Sequence, residues 1–360
     1  MKHIDEYRDA ELSRNMVERI KAISRSNVRL MEVCGTHTMA IFRSGIRALL
    51  PETITLLSGP GCPVCVTPQQ EINAFIEVAR LKDVVVATFG DLLRVPGSRS
   101  SLEEERAEGR EIRIVYSAFD ALDLAESNPQ KHVVFLGVGF ETTAPTIAAS
   151  IVEAQKRKLD NFSVLCAHKL VPPALSALMA AENVRIDGFI CPGHVSVIIG
   201  TKAYVPTVEK YHTPCVVSGF EPTDILQTIY MLVKQIEGGD AKLENAYRRA
   251  VTFKGNEKAR QIMYQVFEPI DAAWRGIGTI PQSGLKIRRE FDSFDAENRF
   301  DLSVPDSEEP KGCACGEILM GLKTPPECPL YKKTCSPSHP VGPCMVSTEG
   351  TCAAYYKYHA

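Results

Sequence analysis

Cys62 and Cys65 are separated only by Pro63 and Val64, in the run "GPGCPVC". Thiols at that spacing can close a two-electron disulfide, supply half of a zinc site, or fill a turn. Thr67, Pro68 and Gln70 follow with the residue types of a helix cap and capping box. That places the pair just ahead of a helix start, which favours a thiolate at one of the two sulfurs. A zinc site wants a second Cys or His pair close by, and none stands near in sequence. Redox or iron chemistry fits the pair better.

The other cysteines fall into sets of different character. Cys34 precedes Gly35, Thr36 and His37, where an imidazole and backbone N–H groups could ionise the thiol. Cys166, Cys191 and Cys215 sit in or beside apolar runs, as small core residues do. Six of the twelve cysteines (Cys313, Cys315, Cys328, Cys335, Cys344 and Cys352) crowd residues 313–360. Packing does not call for that density, and it reads as a metal site.

The elements that must position these groups are short apolar runs alternating with helical patterns. The runs are "VRLMEVC", "ITLLSG", "DVVVATFG", "IRIVYS", "HVVFLGVG", "FSVLCAH", "DGFICPGH" and "TPCVVSGF". They are rich in Val and Ile and end in Gly, Pro or a polar residue, the pattern of parallel strands buried on both faces. The fold class is therefore α/β, with right-handed crossovers. "KDVVVATFGDLLRVPG" and "KHVVFLGVGFETTAP" echo one another, which suggests two similar parallel-sheet domains meeting near residues 120–130. The expected division is 1–125, with an N-terminal helix and the first α/β domain; 126–270, the second; and 271–360, a small Cys-rich domain. A helical pattern is expected from Thr223 to Asp271.

Ligands of open α/β sheets bind outside the carboxyl ends of the strands. The residues following the runs here include Cys34, His37, Cys62, Cys65, Glu141, His168 and His194. "GVGFET" lacks the third glycine of a dinucleotide loop and carries Glu141 where a pyrophosphate would approach, so nucleotide binding is not expected. A net charge of −3 gives no reason to expect nucleic acid as a partner. No apolar run reaches the length of a membrane span, and the first twenty residues have no leader-like apolar core. A cytoplasmic location is expected.

"CGTHT", "GPGCPVC", "GFETTAP", "CPGHVSVIIG" and "CPLYKKTC…VGPCMVSTEGTCAAYY" stand in order along nearly the whole chain. With these motifs the sequence resembles the HypD family of nickel–iron hydrogenase maturation proteins. The resemblance implies two related α/β domains and a C-terminal domain holding a 4Fe–4S cluster. It implies a scaffold, formed with the small chaperone HypC, on which iron receives cyanide and carbon monoxide, the cyanide delivered by HypE. The family's C-x14-C-x6-C-x16-C pattern maps onto Cys313, Cys328, Cys335 and Cys352, leaving Cys315 and Cys344 as non-ligands. The early cysteines of the family correspond to Cys34, Cys62 and Cys65.

A soft thiolate at Cys34 suits low-spin iron, with His37 and His194 to handle protons and Cys62–Cys65 to pass electrons from an external donor. This is a redox-active scaffold rather than a conventional turnover enzyme. Two other readings stay open on the sequence. One is a 4Fe–4S-dependent thiol–disulfide oxidoreductase acting through Cys62 and Cys65. The other is a structural zinc tail with inert cysteines elsewhere.

Overall fold

Each of the eight apolar runs forms a strand in the computed structural model, which describes residues 7–302, 304 and 307–359. In chain order these are β1 (Val28–Glu32), β2 (Ile54–Ser58), β3 (Val84–Thr88), β4 (Ile112–Ile114), β5 (His132–Gly137), β6 (Phe162–Cys166), β7 (Gly188–Pro192) and β8 (Cys215–Ser218). A short ninth strand, β9 (Leu243–Asn245), completes a five-stranded parallel sheet ordered β2-β1-β7-β8-β9. The other parallel sheet is ordered β4-β3-β5-β6. Every residue of β3 and of β7 is buried, because helices cover both faces.

The two sheets do not follow one another along the chain. It leaves the five-stranded sheet after β2, builds the whole four-stranded sheet, and returns for β7. The echoing segments are neighbours within one sheet, paired Val84 to His132 and Val86 to Val134. The expected boundary at 125/126 therefore passes through the middle of a domain. Its signal was the turn after the helix Ala118–Ser127, and a polar turn between helix and strand looks locally like a linker.

The helical expectation for Thr223 to Asp271 is also corrected. The helix Pro222–Gly238 ends at Gly239 in the left-handed region, β9 follows, and only Glu257–Val266 is helical again. From Phe267 the chain forms an antiparallel hairpin of β10 (Phe267–Trp274) and β11 (Gly278–Ile287), with an irregularity between Ile270 and Ala272. Phe267, Leu285 and Ile287 pack into the core of the four-stranded sheet. At the other end, the helix Ala10–Ile23 is capped by Asp9, whose carboxylate accepts from Glu11 N and Leu12 N, and it buries Val17 and Ile20. No described helix is long and apolar enough to cross a membrane.

The Cys-rich tail packs on the five-stranded sheet. Ile318, Cys344, Val346 and Tyr355 share one continuous core with Met31 and Leu57 of the five-stranded sheet. Its last helix, Thr351–Tyr358, lies against the helix Gly35–Arg43, with Phe42 and Tyr355 edge to face at 4.7 Å. Arg47 stands over both rings and bonds Glu32, which is fully buried and also accepts from Ser58 Oγ at 2.7 Å. The hairpin tip meets the tail through bare backbone: a Cβ on Gly316 would lie 2.5 Å from Gly276 Cα.

Gly316 therefore separates local from tertiary preference. It lies in the helix Cys315–Leu319, where alanine is the better helix former by about 1 kcal/mol. The contact with Gly276 reverses that preference. Gly316→Ala is expected to lower stability by about 1–3 kcal/mol, as overpacking does, and to increase proteolysis within the tail. A denaturation midpoint at or above wild type would show that the tail does not rest on the hairpin.

Candidate functional site

Strand order reverses between β1 and β7 in one sheet and between β3 and β5 in the other. Loops diverge at such points and leave a crevice at the carboxyl edge. Here Cys34 after β1, Pro192 and His194 at the end of β7, and Phe140, Thr142 and Thr143 after β5 line one cleft of about 460 Å³. Gly61 and Pro63 form part of the wall, and the tail contributes Glu349. The two sheets and the tail thus meet around Cys34.

Cys34 is the N-cap residue of Gly35–Arg43, two residues beyond β1, with extended backbone. Gly61 lies directly on it; a Cβ there would sit 2.2 Å from Cys34 N and 2.4 Å from its Cα. Thr36 Oγ1 donates to Glu349 Oε1 at 2.6 Å, which ties the tail to the same helix end. Burial pushes the Cys34 thiol up to about 11, Glu349 adds to the rise, and the backbone N–H groups of His37 and Thr36 oppose it. His37 acts on the thiol through its backbone N–H rather than its ring.

Both histidines instead stack on Phe220, His37 at 4.7 Å and His194 at 3.9 Å between ring centroids. His37 is fully buried, and its Nε2 donates to Gly219 O at 2.9 Å, leaving Nδ1 bare and unpartnered. Burial lowers its pKa to about 4, so it is neutral near pH 7. Only His194 of the two lines the cleft, and burial lowers its pKa against the pull of Glu349.

Cys62 is itself the cap of the one-turn helix Pro63–Val66, its Sγ accepting from Cys65 N at 3.3 Å. The expected capping box at Thr67 does not form. Thr67 Oγ1 turns back to donate to Pro63 O at 2.9 Å, and the helix Gln69–Arg80 begins after Pro68 without a side-chain cap. The Cys62 and Cys65 sulfurs are 2.7 Å apart and buried. Cys65 also meets the side chain of Cys344, because the turn Pro343–Val346 packs on Pro63–Val66. Cys344 and Cys315 lie 2.7 Å apart, and Cys315 meets Cys313. Burial drives the Cys65 thiol well above its ordinary range.

All six tail cysteines line one small pocket. Within it Cys352 faces Cys313, Cys335 and Cys328, the quartet expected from the resemblance, while Cys315 and Cys344 face each other. Cys335 Sγ accepts from Val341 N at 3.4 Å, and a Cβ on Gly342 would lie 2.9 Å from Cys313 Sγ. Among the described residues no three His, Cys, Asp or Glu side chains close on a point that would hold a single metal ion. Four thiols are the donor set of a 4Fe–4S cluster, as they are of a structural zinc, and an N–H aimed at a ligand sulfur is a feature of cluster sites. The residues fit the 4Fe–4S group.

Other strand-end residues do not join the cleft lining. Glu141 is buried; Oε1 accepts from Val171 N at 3.0 Å and Oε2 has no partner. Burial pushes its pKa up to about 7. His168 is buried with Nδ1 3.1 Å from Cys166 Sγ, and burial lowers its pKa to about 3. Cys191 and Cys215 are fully buried core residues.

Three participants carry no local sequence signal. Glu349 and Arg275 come from distant segments, and the pairing of Cys315 with Cys344 spans 29 positions.

The family model HypD, described as the hydrogenase formation hypA family, matches residues 11–359. The chain is 47% identical over 368 residues to the hydrogenase maturation factor HypD of Cupriavidus necator, covering 99% of this chain and 97% of that protein. It is 48% identical over 367 residues to the hydrogenase maturation factor HypD of Azotobacter vinelandii, with the same coverage of both chains. A putative hydrogenase expression/formation protein of Methanocaldococcus jannaschii is 45% identical over 352 residues, covering 97% and 98% of the two chains.

Glu141 yields a pH test. Its carboxyl is ordinary, near 4.5, in the unfolded chain and rises to about 7 when buried. Between those values the folded state holds a proton that the unfolded state has released, so stability falls as pH rises, and the cost is complete above pH 7. Glu141→Gln keeps an acceptor for Val171 N and removes the titration. Wild type should lose about 3 kcal/mol more than the variant across that window, as read from urea midpoints. A difference that does not change with pH would contradict a buried neutral acid.

Proposed function

The chain belongs to the HypD family of hydrogenase formation proteins, and from that membership we propose that it is a cytoplasmic, redox-active scaffold for building the iron centre of a nickel–iron hydrogenase. Iron is the substrate. It is held at Cys34, in a cleft shared with a HypC-type small chaperone, while cyanide from a HypE-type donor and carbon monoxide are attached. A soft thiolate suits iron(II) carrying strong-field diatomics.

The observation that carries this reading is the run of sulfurs Cys313–Cys315–Cys344–Cys65–Cys62, which ends beside Gly61 on the Cys34 backbone. Cys313, Cys328, Cys335 and Cys352 hold the 4Fe–4S group, which when bound supplies single electrons from an external donor. The two close pairs then exchange by thiol–disulfide chemistry. Cys344 thiolate attacks Cys65 of a Cys62–Cys65 disulfide, releasing Cys62. Cys315 thiolate then attacks Cys344, releasing Cys65 and closing Cys315–Cys344. The Cys315–Cys344 dithiol thereby gives two electrons and two protons to the Cys62–Cys65 pair, next to the iron site, and two successive one-electron transfers from the bound cluster, with uptake of two protons, would return Cys315–Cys344 to the dithiol.

The remaining residues set the surroundings. His37, neutral and fixed to Gly219 O, holds Phe220 in place. His194, stacked on the same ring and open to the cleft, is the proton acceptor within reach of bound ligands. Burial first and Glu349, which closes the wall, second favour the protonated Cys34 thiol until a cation displaces the proton.

A 4Fe–4S-dependent thiol–disulfide oxidoreductase would use the same sulfur run but has no need of Cys34 in a cleft facing His194. The discriminating experiment is infrared spectroscopy of the anaerobic complex with the small partner. Cys34→Ala should fold and keep its tail iron yet lose the cyanide and carbon monoxide bands. Bands at wild-type intensity in the variant would remove Cys34 from the iron site.

A further inference from the structure

A chain of flat groups runs from the N-terminal segment to the cleft. Arg249, in the turn after β9, holds its guanidinium 3.8 Å from the centroid of the Tyr7 ring and 4.6 Å from that of Tyr247. Tyr247 meets Phe220 edge to face at 6.0 Å, and Phe220 stacks on His194 at 3.9 Å. His194 lines the cleft with Cys34, whereas Arg249 does not.

The same arginine grips the turn that carries Phe220. Its terminal nitrogens donate to the two oxygens of Asp224 at 2.7 and 2.5 Å. Asp224 is fully buried, the arginine side chain is 20% exposed, and Asp224 Oδ2 also accepts from Glu221 N at 3.3 Å. Gly219 rests against that carboxylate, where a Cβ would lie 2.3 Å from Asp224 Oδ2. A Cβ on Gly193, the residue before His194, would lie 3.1 Å from Phe220 Cε2. The N-terminal segment fastens the turn as well: Thr223 Oγ1 donates to Tyr7 O at 2.6 Å, and Arg8 donates to both oxygens of Glu221.

We propose that Arg249 is a positioning residue for His194, clamping the Gly219–Asp224 turn so that Phe220 presents a fixed face to the imidazole; the proposal rests on reading the Cys34 cleft as the iron-assembly site. Stacked on Phe220, the imidazole can turn only within its own plane, which limits where its nitrogens point. A planar guanidinium can lie against two rings and bond a carboxylate through two prongs at once, which an ammonium cannot do. Ion pairs with a fully buried member contribute little net stability over apolar residues of similar volume, and the use of this one is to fix geometry.

The test uses the full-length protein, prepared anaerobically, with two readouts. The first is the proton resonances of the His194 ring, identified by their absence in His194→Gln and shifted upfield by the face of Phe220. The second is the intensity of the cyanide and carbon monoxide bands in the complex with the small partner. Arg249→Ala should keep its fold and tail iron, lose most of the upfield shift, and show bands about tenfold weaker, as a displaced reacting group does. Arg249→Lys, which keeps the charge without the two-pronged bond, should fall between that variant and wild type. Arg248→Ala, at the exposed neighbouring position, should change neither readout. An unmoved shift in Arg249→Ala, bands at wild-type intensity despite a lost shift, or equal losses in Arg248→Ala overturns the proposal. If Arg249→Ala does not fold, Tyr7→Ala decides: a smaller shift with weaker bands supports the clamp, and unchanged readouts reject it. Wild type without bands would sink the reading of the cleft, whereas wild-type bands with an unmoved shift in the variant would sink only the role of Arg249.

Discussion

Gly61 rests its bare Cα on the backbone of Cys34, and the rest of the site depends on that contact. Any side chain at position 61 would drive the Cys62–Cys65 turn away from the end of β1. Because the turn is held there, its other face is free to receive the tail at Pro343–Val346. A glycine thus joins the cleft on one side to the sulfur run on the other. Gly276 against Gly316 repeats the device at the far end, where the hairpin tip supports the first tail helix.

The same closeness sets the electrostatics. Burial raises the Cys34 and Cys65 thiols, so neither is ionised at rest. Arg275, paired with Glu309, is a buried cation within charge range of Cys315, Cys344, Cys313 and Cys65. His37 is kept neutral by burial and oriented by a carbonyl, which suits it to positioning rather than to acid catalysis. His194, which lines the cleft, is the more accessible of the two.

Much of the fold was legible because parallel strands buried on both faces leave a plain sequence trace. Runs such as "DVVVATFG" and "DGFICPGH" became β3 and β7, and the carboxyl-edge rule brought Cys34 and His194 to one cleft. The insertion of one sheet within the other was not legible. A run of valines specifies a strand but not its neighbours, and the two echoing segments, β3 and β5, are adjacent in one sheet. Thr67 was misread because its hydroxyl had two local partners on offer and bonded backward. Contacts made by Glu349 and Arg275 with residues more than two hundred positions away leave no local trace.

The central claim is that Cys65 and Cys344 are the junction between the tail and the cleft. It is tested by removing the outer member of each pair, Cys62→Ala with Cys315→Ala, and exposing the anaerobic protein to mild oxidant. The account predicts that mass spectrometry of the digest finds Cys65 linked to Cys344. Persistence of both as free thiols, or linkage of either to another cysteine, would contradict it.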